Sequence, residues 1–445
     1  MKKLLCLVLC LIMALTMVGC SDDSKTKGDI TEITVWTSDA GGKEQWEKLV
    51  GEFNQTTGKE KGIKIVWETQ SDFATAIEVA RKNGQLPEIA SVSDIEGYSK
   101  TGDILPLSEL PGGEEFVKEY DAKLVQGRNK IGDVIYNVPS SSNVPGLIYN
   151  KDLFIEAGIV DENGEPAVPK TWEEVRAVAK KLTDTKKQVY GIAFPMKEPA
   201  ILGGYMLRTH FNASFGDMDT YDFEKGVVSY DNYRYALKWM MDIKNDGSYF
   251  PGAESLDNDT ARAYFAEGKI GMFLGMSWDV GVFTSQFKAK CDWAVAPCPV
   301  AEGVEERQLN WRDISGTYTV CKSARDTDME KVMEVYKFIF SLNTRKTMYE
   351  AGIRIPCKKD AIEAADKSKL PEQLVQFASL LDEEYEYFVA PSLKLEGDKW
   401  NLNIPKVWAG KMTADQAVDD MNKRYTDAFK KGIADGSVNV EWYKK

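Results

Sequence analysis

Histidine is nearly absent from this sequence: of 445 residues, only His210 is a histidine. The seven cysteines include no C-x-x-C pair. Structural zinc and iron sites are built from closely spaced cysteine and histidine ligands, so the sequence predicts no metal centre and no cofactor. It also lacks a G-x-S-x-G elbow and a glycine-rich phosphate loop, two frequent signals of enzymatic chemistry.

Positive charge is in deficit. Lysine and arginine number 56 against 69 aspartates and glutamates, which gives a net charge of −13. Nucleic acids and anionic membrane surfaces attract basic patches, so the composition argues against both as the main partner. Hydrophobic residues make up 43% of the chain and charged residues 28%. These proportions suit a soluble protein with a substantial core. Its 445 residues are enough for two or three average domains or for one large bilobal unit.

The N-terminal apolar run is too short to cross a bilayer. Residues 4–18 form a run of about 15 residues, whereas a membrane-spanning helix needs about 20. The run follows a short basic segment and predicts a signal peptide over residues 1–19. It ends in MVGC, which resembles a lipobox; the alternative is an ordinary secretory peptide. We expect Cys20 to be lipidated and residues 20–29 to form a polar tether.

Four cysteines remain after this segment: Cys291, Cys298, Cys321 and Cys357. An exported protein can oxidise them, and four cysteines allow three pairings. If residues 291–298 form a strand, the two cysteines at its ends lie about 20 Å apart and cannot pair directly with each other. We expect buried free thiols.

Strand-like and helix-like segments alternate after the tether. Residues 30–36 and 63–67 are rich in strand-forming residues, and helical spacing of apolar residues follows around Trp46 and from Phe73 onward. This order predicts an open α/β sheet. Ligands of such sheets bind beyond the carboxyl ends of the strands, and so residues 37–42 form a candidate binding loop.

Thr171 opens a clearly marked helix. Glu174 stands three residues later, and the pair forms a capping box in which each side chain satisfies a backbone amide. The apolar residues that follow share one face, as a half-buried helix requires: Trp172, Val175, Val178 and Leu182.

Residues 135–182 surround this helix and carry the words YNKDLF, AG, P-x-TWEEV and AKKLT. Further words lie in order along the chain: GDILPL at 102–107, ARAYFAEGKIGMFLGMSW at 261–278, DWAVAPCP at 292–299, and IRIP followed by KKDA at 353–361. Together, over about residues 30–432, they resemble the bacterial family 1 extracellular solute-binding proteins, which include the maltodextrin-binding proteins. One departure is Glu88, where the family usually has aspartate.

The resemblance implies a periplasmic-binding-protein-like α/β fold, with two lobes, a ligand cleft between them and hinge crossings that join them. It implies an N-terminal lobe of residues 30–139 and 313–357 and a C-terminal lobe of residues 140–312 and 358–445. The expected function is capture of a carbohydrate, an oligosaccharide in our interpretation, and its delivery to the permease subunits of an ABC importer. We expect an extracytoplasmic monomer that is held at the membrane by its lipid alone and binds no nucleic acid.

Tryptophan is abundant, with 11 residues. Its flat ring matches the C–H face of a pyranose, and carboxylates and amides can bind the sugar hydroxyls. Candidate ligand contacts are Trp36, Ser38, Asp39, Asp94, Trp278, Asp279, Trp311, Arg312 and Trp400. Trp278 stands out because the resemblance implies that the word containing it lines the cleft of sugar-binding relatives. Each of these side chains has an alternative role in the core or on the solvated surface. Trp46, Trp172 and Trp239 we assign to the core.

Three functions remain open at this point. The first is the capture subunit of an importer, for a sugar or for a non-sugar solute such as glycerol phosphate, which would need converging arginine and lysine. The second is an exported glycoside hydrolase, for which two positioned carboxylates suffice. The third is a structural or adhesive surface lipoprotein, which would show no change on adding a ligand. We favour the first and expect no enzyme.

Overall fold

The computed structural model describes residues 30–215, 221–305, 313–381 and 389–443. Strands and helices alternate through its first part, as the sequence predicts. They are β1 (Thr31–Thr37), α1 (Lys43–Gln55), α2 (Thr57–Lys61), β2 (Ile63–Thr69), α3 (Phe73–Asn83), β3 (Ile89–Ala90), α4 (Ile95–Lys100), α5 (Gly113–Tyr120), β4 (Lys130–Ile131) and β5 (Val134–Ile135).

The middle of the chain adds strands that are more often antiparallel. Its elements are β6 (Ser141–Asn143), β7 (Pro145–Asn150), α6 (Lys151–Glu156), α7 (Trp172–Leu182), β8 (Tyr190–Ile192), α8 (Thr209–Phe215), β9 (Tyr221–Asp222), β10 (Val227–Val228), α9 (Tyr233–Asp246), α10 (Asn258–Ala266), β11 (Ile270–Met276), α11 (Asp279–Gly281) and β12 (Trp293–Ala296). Two π-helices lie at Ile201–Arg208 and Val282–Gln286.

The last part of the chain is mainly helical. It contains β13 (Asp313–Ser315), β14 (Thr319–Val320), α12 (Met329–Ile339), α13 (Leu342–Glu350), β15 (Ile355–Pro356), α14 (Lys359–Glu363), α15 (Glu372–Ser379), α16 (Asn403–Trp408) and α17 (Ala414–Ala434). Short 3₁₀ segments lie at Leu107–Glu109, Ala253–Ser255, Lys322–Asp326, Lys367–Lys369, Trp400–Leu402 and Val440–Tyr443.

The first large sheet has the strand order β14-β3-β1-β2. β1 pairs in parallel with β2, from Thr31 opposite Ile63 to Thr37 opposite Thr69, and in parallel with β3. β14 is antiparallel to β3. Apolar clusters cover both faces of this sheet, which explains why its strands read as β-rich runs. We call this sheet and the helices packed on it the N-terminal lobe.

The second large sheet has the order β12-β7-β11-β8. β7 is antiparallel to β11 and β12, and β11 is parallel to β8. All seven residues of β11 are buried, because helices pack against both faces of this central strand. We call this sheet and its helices the C-terminal lobe.

A third, three-stranded sheet joins the two lobes. Its order is β13-β6-β15, and β6 is antiparallel to both neighbours: Ser142 faces Ile314 on one side and Ile355 on the other. The chain therefore passes between the lobes three times within this crossing sheet. The bilobal α/β fold is confirmed, while the lobe boundaries after residues 139, 312 and 357 stay a prediction.

The capping box at α7 is present as predicted. The Thr171 hydroxyl accepts from the Glu174 amide at 3.1 Å, and the Glu174 carboxylate accepts from the Thr171 amide at 3.2 Å. Trp172 is fully buried and stacks on Phe211 with ring centroids 3.8 Å apart. The indole of Trp239 donates to the Trp172 carbonyl at 2.8 Å. Both tryptophans thus belong to the core, as does buried Trp46.

The C-terminal segment that follows α17 reaches the N-terminal lobe. The Tyr443 hydroxyl lies 3.4 Å from a carboxylate oxygen of Glu96 in α4, and Lys100 donates to the Ser437 carbonyl at 3.4 Å. The indole of Trp442 covers Gly132 between β4 and β5. These contacts give the lobes a second connection in addition to the crossing sheet.

The four cysteines expected to be buried free thiols differ in their exposure. Cys298 and Cys321 are buried, whereas Cys291 and Cys357 are half-buried, and none of the four forms a disulfide. Within the described ranges, no helix combines the length and the apolar character that a membrane crossing requires.

Candidate functional site

The loop after β1 holds the first predicted site residue, Asp39, in a fixed position. Its backbone amide donates to the Thr37 hydroxyl at 3.1 Å. One carboxylate oxygen accepts from the Gly42 amide at 3.1 Å, and the other accepts from the Trp46 indole at 2.9 Å. The short loop can close tightly because Gly42 carries no Cβ: one built there would lie 2.3 Å from the Asp39 carboxylate.

Asp39 is also tied to the crossing sheet through Arg354, which lies just before β15. The guanidinium is 2.5 Å from the carboxylate, and the two side chains are only 17% and 14% exposed. Burial disfavours the charged guanidinium, but the Asp39 carboxylate and the Tyr318 hydroxyl outweigh it and hold the pKa of Arg354 above its usual value. Gly316 has a positive φ of 64° and leaves room there, since a Cβ would lie 2.6 Å from the guanidinium.

Aromatic rings stand beside this ion pair. Trp46 stacks on Trp67 of β2 with ring centroids 4.1 Å apart, and Trp67 lies 5.6 Å from the Tyr318 ring. The Tyr318 hydroxyl hydrogen-bonds with the hydroxyl of Thr37 at 3.1 Å, and burial raises the pKa of Tyr318 to about 12. The tyrosine therefore stays neutral at physiological pH.

Two polar atoms at the carboxyl end of β2 have no hydrogen-bond partner among the described residues: Trp67 Nε1 and Thr69 Oγ1. The residues are two apart in one strand, so their side chains lie on the same side of the sheet. Thr69 is paired in register with Thr37, beside the Asp39 loop. Buried polar groups are nearly always satisfied, and so these two atoms are suited to bonding a ligand.

The other lobe presents an aromatic pair. Trp278 follows the carboxyl end of β11 and is half-buried. Its ring meets that of Tyr205 edge to face, with centroids 5.2 Å apart, and Tyr205 is 36% exposed. Ser277 fixes the start of this turn, since its amide donates to the Val144 carbonyl at 2.9 Å and its hydroxyl accepts from the Val144 amide at 3.2 Å.

Asp279, the neighbour of Trp278, is used by the chain itself. It is 2% exposed, one carboxylate oxygen accepts from the Met276 amide at 2.7 Å, and the other lies 2.5 Å from the Arg262 guanidinium. These bonds close the turn after β11. A ligand contact by Asp279 stays a prediction, but its carboxylate is already engaged by two partners.

Three further candidates lie at or just beyond the carboxyl ends of β1 and β3 in the N-terminal lobe sheet. Ser38 is exposed, and its amide donates to the Ser91 hydroxyl at 3.1 Å. Asp94 caps α4 by accepting from the Gly97 amide at 2.9 Å. Trp36 packs on the apolar cluster formed with α3 and α4, on the opposite face of β1 from Thr37. The structure therefore separates Trp36 from the Asp39 loop and its aromatic rings.

Trp400 lies apart from Trp278. The centroid of its ring lies 5.1 Å from that of Tyr233, and its backbone amide donates to the Tyr425 hydroxyl at 2.9 Å. The ring also packs closely on Gly203, since a Cβ built there would lie 2.9 Å from it. Trp311, Arg312 and the lipidation residue Cys20 fall outside the described residues.

His210 has a structural role. It is fully buried, and its Nε2 lies 3.2 Å from the Gly146 carbonyl of β7 and 3.0 Å from the Gly275 carbonyl of β11. Because both partners are acceptors, Nε2 carries the proton of the neutral ring. Burial lowers the pKa of His210 to about 4. No group of three histidine, cysteine or acidic side chains within the described ranges is placed to hold a metal ion.

Several of these residues were not among the sequence candidates: Trp67, Thr69, Tyr205, Tyr318 and Arg354. The sequence does contain a signal for Trp67 and Thr69. They continue the alternation of Ile63 and Ile65 along β2 and therefore share one face of the strand. Nothing local marks Arg354, whose partner Asp39 is more than 300 residues away in the chain.

The fold and this arrangement define a bilobal α/β protein with polar and aromatic side chains beyond the strand ends of each lobe. The family model described as "Bacterial extracellular solute-binding protein" matches residues 38–341. The chain belongs to this family, which groups solute-binding proteins and is not an enzyme family.

Curated relatives cover most of the chain. The sn-glycerol-3-phosphate-binding periplasmic protein UgpB of Rhizobium meliloti is 23% identical over 358 residues, 77% of this chain and 79% of that protein. UgpB of Agrobacterium fabrum is 23% identical over 423 residues, 90% of this chain and 93% of its own length.

Solved structures share the fold over nearly their full length. A chain from a study of xylan utilization by Caldanaerobius polysaccharolyticus superimposes with a TM-score of 0.71 at 20% identity, covering 88% of this chain and 99% of the other. A chitin oligosaccharide binding protein gives 0.71 at 19% identity, with 90% and 99% covered. The GacH receptor of Streptomyces glaucescens gives 0.70 at 19% identity, with 90% and 98% covered.

Proposed function

We propose that this protein captures an oligosaccharide between its two lobes and delivers it to the permease of an ABC importer. The aromatic pair of Trp278 and Tyr205 carries the proposal. It follows the carboxyl end of β11 and combines a half-buried indole with a partly exposed phenol. Such ring faces match the C–H face of a pyranose.

Polar groups of the N-terminal lobe support the same ligand class. Trp67 Nε1 can donate a hydrogen bond, and Thr69 Oγ1 can donate and accept one. Ser38 adds an exposed hydroxyl in the neighbouring loop. A hydroxyl-rich neutral ligand matches this set of groups. Several structural neighbours are described as binding sugars or sugar analogues, among them chitin oligosaccharide, acarbose and maltotriose.

The mechanism needs binding and closure but no covalent step. The lobes rotate about the crossing sheet, and the ligand is enclosed between the two strand ends. Arg354 belongs to the crossing segment and holds Asp39 through a buried ion pair. This pair keeps the loop after β1 in one position relative to the crossing sheet, which lowers the entropy lost on binding.

The lobe boundaries form part of the proposal: residues 30–139 and 313–357 in one lobe, and residues 140–312 and 358–445 in the other. In support, β6, β13 and β15 begin or end within three residues of these limits and pair with one another. An experimental structure with two separately folded domains, each made of one continuous stretch of sequence, would contradict this division.

Membrane attachment is likewise proposed from the N-terminal sequence. Cleavage after residue 19 would expose Cys20 for lipidation, and residues 20–29 would tether the binding domain. Mass spectrometry of the mature N-terminal peptide should find a diacylglyceryl cysteine. An unmodified N-terminal residue would instead show that residues 1–19 act as an ordinary secretory signal peptide.

A second candidate ligand is sn-glycerol 3-phosphate, which the names of the curated relatives favour. A phosphate calls for cationic groups with unused hydrogen-bond donors. Two buried arginines lie among the described residues of the site, and each is paired with a carboxylate: Arg354 with Asp39 at 2.5 Å and Arg262 with Asp279 at 2.5 Å. The geometry therefore supports a neutral glycan better than a phosphate ester.

The test is thermal unfolding of the protein from Ser21 onward with maltotriose, xylotriose, chitotriose, raffinose and sn-glycerol 3-phosphate. A ligand present at 100 times its Kd stabilises the folded state by about 2.7 kcal/mol, so the midpoint should rise for one glycan family. Trp278→Ala should abolish the rise, and the matched control Trp442→Ala, a partly exposed tryptophan outside this site, should retain it.

The outcomes separate the candidate functions. A rise with recovery of intact glycan supports capture. Cleavage of the glycan would instead make the protein a glycoside hydrolase, and a rise with sn-glycerol 3-phosphate alone would replace the sugar with the phosphate ester. Equal rises in the two tryptophan variants would contradict the role given to Trp278.

A further inference from the structure

Arg262 reaches the turn after β11 from the neighbouring helix α10. Its guanidinium lies 2.5 Å from the carboxylate of Asp279 and 3.0 Å from that of Asp259, which stands three residues earlier in α10. The arginine side chain is 13% exposed and that of Asp279 only 2%. Burial disfavours the charged guanidinium, but the carboxylates of Asp279 and Asp259 outweigh it and hold the pKa of Arg262 above its usual value. The arginine therefore stays charged beside the turn.

The helix that carries Arg262 is anchored beside β11. Ala261 and Phe265 of this helix are fully buried. The ring centroid of Phe265 lies 6.2 Å from that of Phe273 in β11 and 5.0 Å from that of Phe283 in the π-helix after the turn. These rings pack the helix against the elements on both sides of the turn. Arg262 therefore extends towards the turn from a fixed support.

Trp278 has a neighbour on each side that is held by the surrounding structure. Before it, Ser277 is bonded to Val144 through both its amide and its hydroxyl. After it, Asp279 accepts from a backbone amide of the turn at 2.7 Å and pairs with Arg262. A buried carboxylate that loses its cation is strongly destabilised. It would relax by turning towards water, and the indole next to it in the chain would move with it.

We propose that Arg262 is a positioning residue for solute binding: through Asp279 it holds the indole of Trp278 in the orientation that meets the ligand. Arg262 acts without touching the ligand, because its effect passes through the turn. The inference rests on the proposed function, in which Trp278 contacts the ligand. It makes the affinity for the solute depend on a buried charge pair that lies outside the pair of aromatic rings.

Fluorine NMR of the protein labelled with 5-fluorotryptophan tests this positioning without any ligand. Trp278→Phe identifies the resonance of interest. Arg262→Met leaves the Asp279 carboxylate without its cation and should shift or broaden the Trp278 resonance. Adding Asp279→Asn should return the resonance towards its wild-type position, because asparagine still accepts from the Met276 amide and carries no charge.

Arg176→Met is the matched control. Arg176 of α7 is likewise held by two carboxylates of the C-terminal lobe, at 2.5 Å from Asp246 and 2.9 Å from Asp242 of α9. Its replacement breaks a charge pair of the same lobe but should leave the Trp278 resonance unchanged. Arg262→Lys supplies a milder form of the test, since it keeps a cation but loses the planar fork. Its shift should be smaller than that of Arg262→Met.

Calorimetric titration with maltotriose, xylotriose and chitotriose measures the consequence for binding. For a glycan that binds the wild type, Arg262→Met should weaken the affinity by about tenfold or more, as for the loss of an aromatic anchor. The double variant with Asp279→Asn should recover most of that affinity. Arg176→Met should stay within about twofold of the wild type, because its effect is confined to stability.

Three results would overturn the positioning role: an unchanged Trp278 resonance in Arg262→Met, an equal change in Arg176→Met, or a double variant that keeps the altered resonance. The last would mean that the unpaired carboxylate is not the cause. The NMR comparison needs no ligand, so its result is separate from that of the proposed function. Failure of the wild type to bind any glycan would contradict the proposed function and leave the orientation of the indole measurable.

Discussion

Acidification from pH 7.5 to pH 5 should destabilise the fold through His210. The imidazole is fully buried between β7 and β11, and its pKa in the folded protein is about 4, against an ordinary value of 6.5. The unfolded chain therefore binds a proton more readily than the folded protein. The contribution of His210 is fully present above pH 6.5 and is lost progressively as the pH falls towards 4.

The size of the effect follows from the two pKa values. Each unit of difference corresponds to about 1.4 kcal/mol once both states titrate. Relative to pH 7.5, the free energy of unfolding should fall by about 2 kcal/mol at pH 5 and by about 3 kcal/mol at pH 4 through this residue alone. Carboxylates titrate in the same range, so the effect must be isolated by comparison with a variant.

His210→Gln is the matched variant, because its amide can donate to the carbonyls of Gly146 and Gly275 but takes up no proton. In urea unfolding, the free energy of unfolding of the protein with His210 should fall by about 2 kcal/mol more than that of His210→Gln between pH 7.5 and pH 5. The chain has one histidine, so the imidazole proton resonance reports its pKa without assignment. A pH-independent difference, or a measured pKa near 6.5, would refute the reasoning.

Three further changes should alter stability by predictable amounts in urea unfolding. Arg354→Met leaves the Asp39 carboxylate buried without its cation and should cost about 3 kcal/mol, part of which Asp39→Asn should recover in the double variant. Thr171→Ala removes the cap of α7 and should cost about 1 kcal/mol, whereas exposed Thr185→Ala should change little. Trp172→Ala empties a fully buried site and should cost about 3–5 kcal/mol.

Each of these expectations has a contrary outcome. A double variant no more stable than Arg354→Met would mean that the remaining carboxylate is not the source of the loss. Equal losses in the two threonine variants would remove the special role of the cap. A loss below about 1 kcal/mol in Trp172→Ala would mean that the neighbouring rings refill the space left behind.

Local signals predicted local structure well. The capping box at Thr171 and the apolar face that contains Trp172 depend on residues within one helix, so the sequence contains all the information needed. The alternation of strands and helices likewise predicted the parallel sheet of the N-terminal lobe. Trp278 was predicted for a different reason: the word around it resembles the family, and the structure places it just after a strand end.

Burial and long-range pairing account for what the sequence could not predict. Asp279 stays a predicted ligand contact, and only the structure shows that Arg262 from α10 and the Met276 amide are partners of its carboxylate. Asp39 lies in the loop after β1, as the sequence predicts, yet its partner Arg354 is more than 300 residues away in the chain. Trp36 lies on the face of the sheet opposite to Thr37 because successive residues of a strand point to opposite faces. A shift of one residue in the strand register would exchange the two faces.

Trp67 and Thr69 of β2, which the structure adds to the candidate site, show where the sequence could have been taken further. Trp67 ends a run of strand-forming residues and was treated as part of a buried strand. The alternation with Ile63 and Ile65 places Trp67 on the apolar face of β2. Only the structure shows that this strand ends next to the Asp39 loop, where the Trp67 indole and the Thr69 hydroxyl have no hydrogen-bond partner among the described residues.

A crystal structure of the protein with the glycan that stabilises it most tests the central claim most directly. We predict one sugar ring against Trp278 and Tyr205, hydroxyl contacts to Trp67 or Thr69 from the other lobe, and an intact glycosidic bond. A glycan bound outside the interface of the two lobes, or a site that holds sn-glycerol 3-phosphate while excluding every glycan, would contradict it.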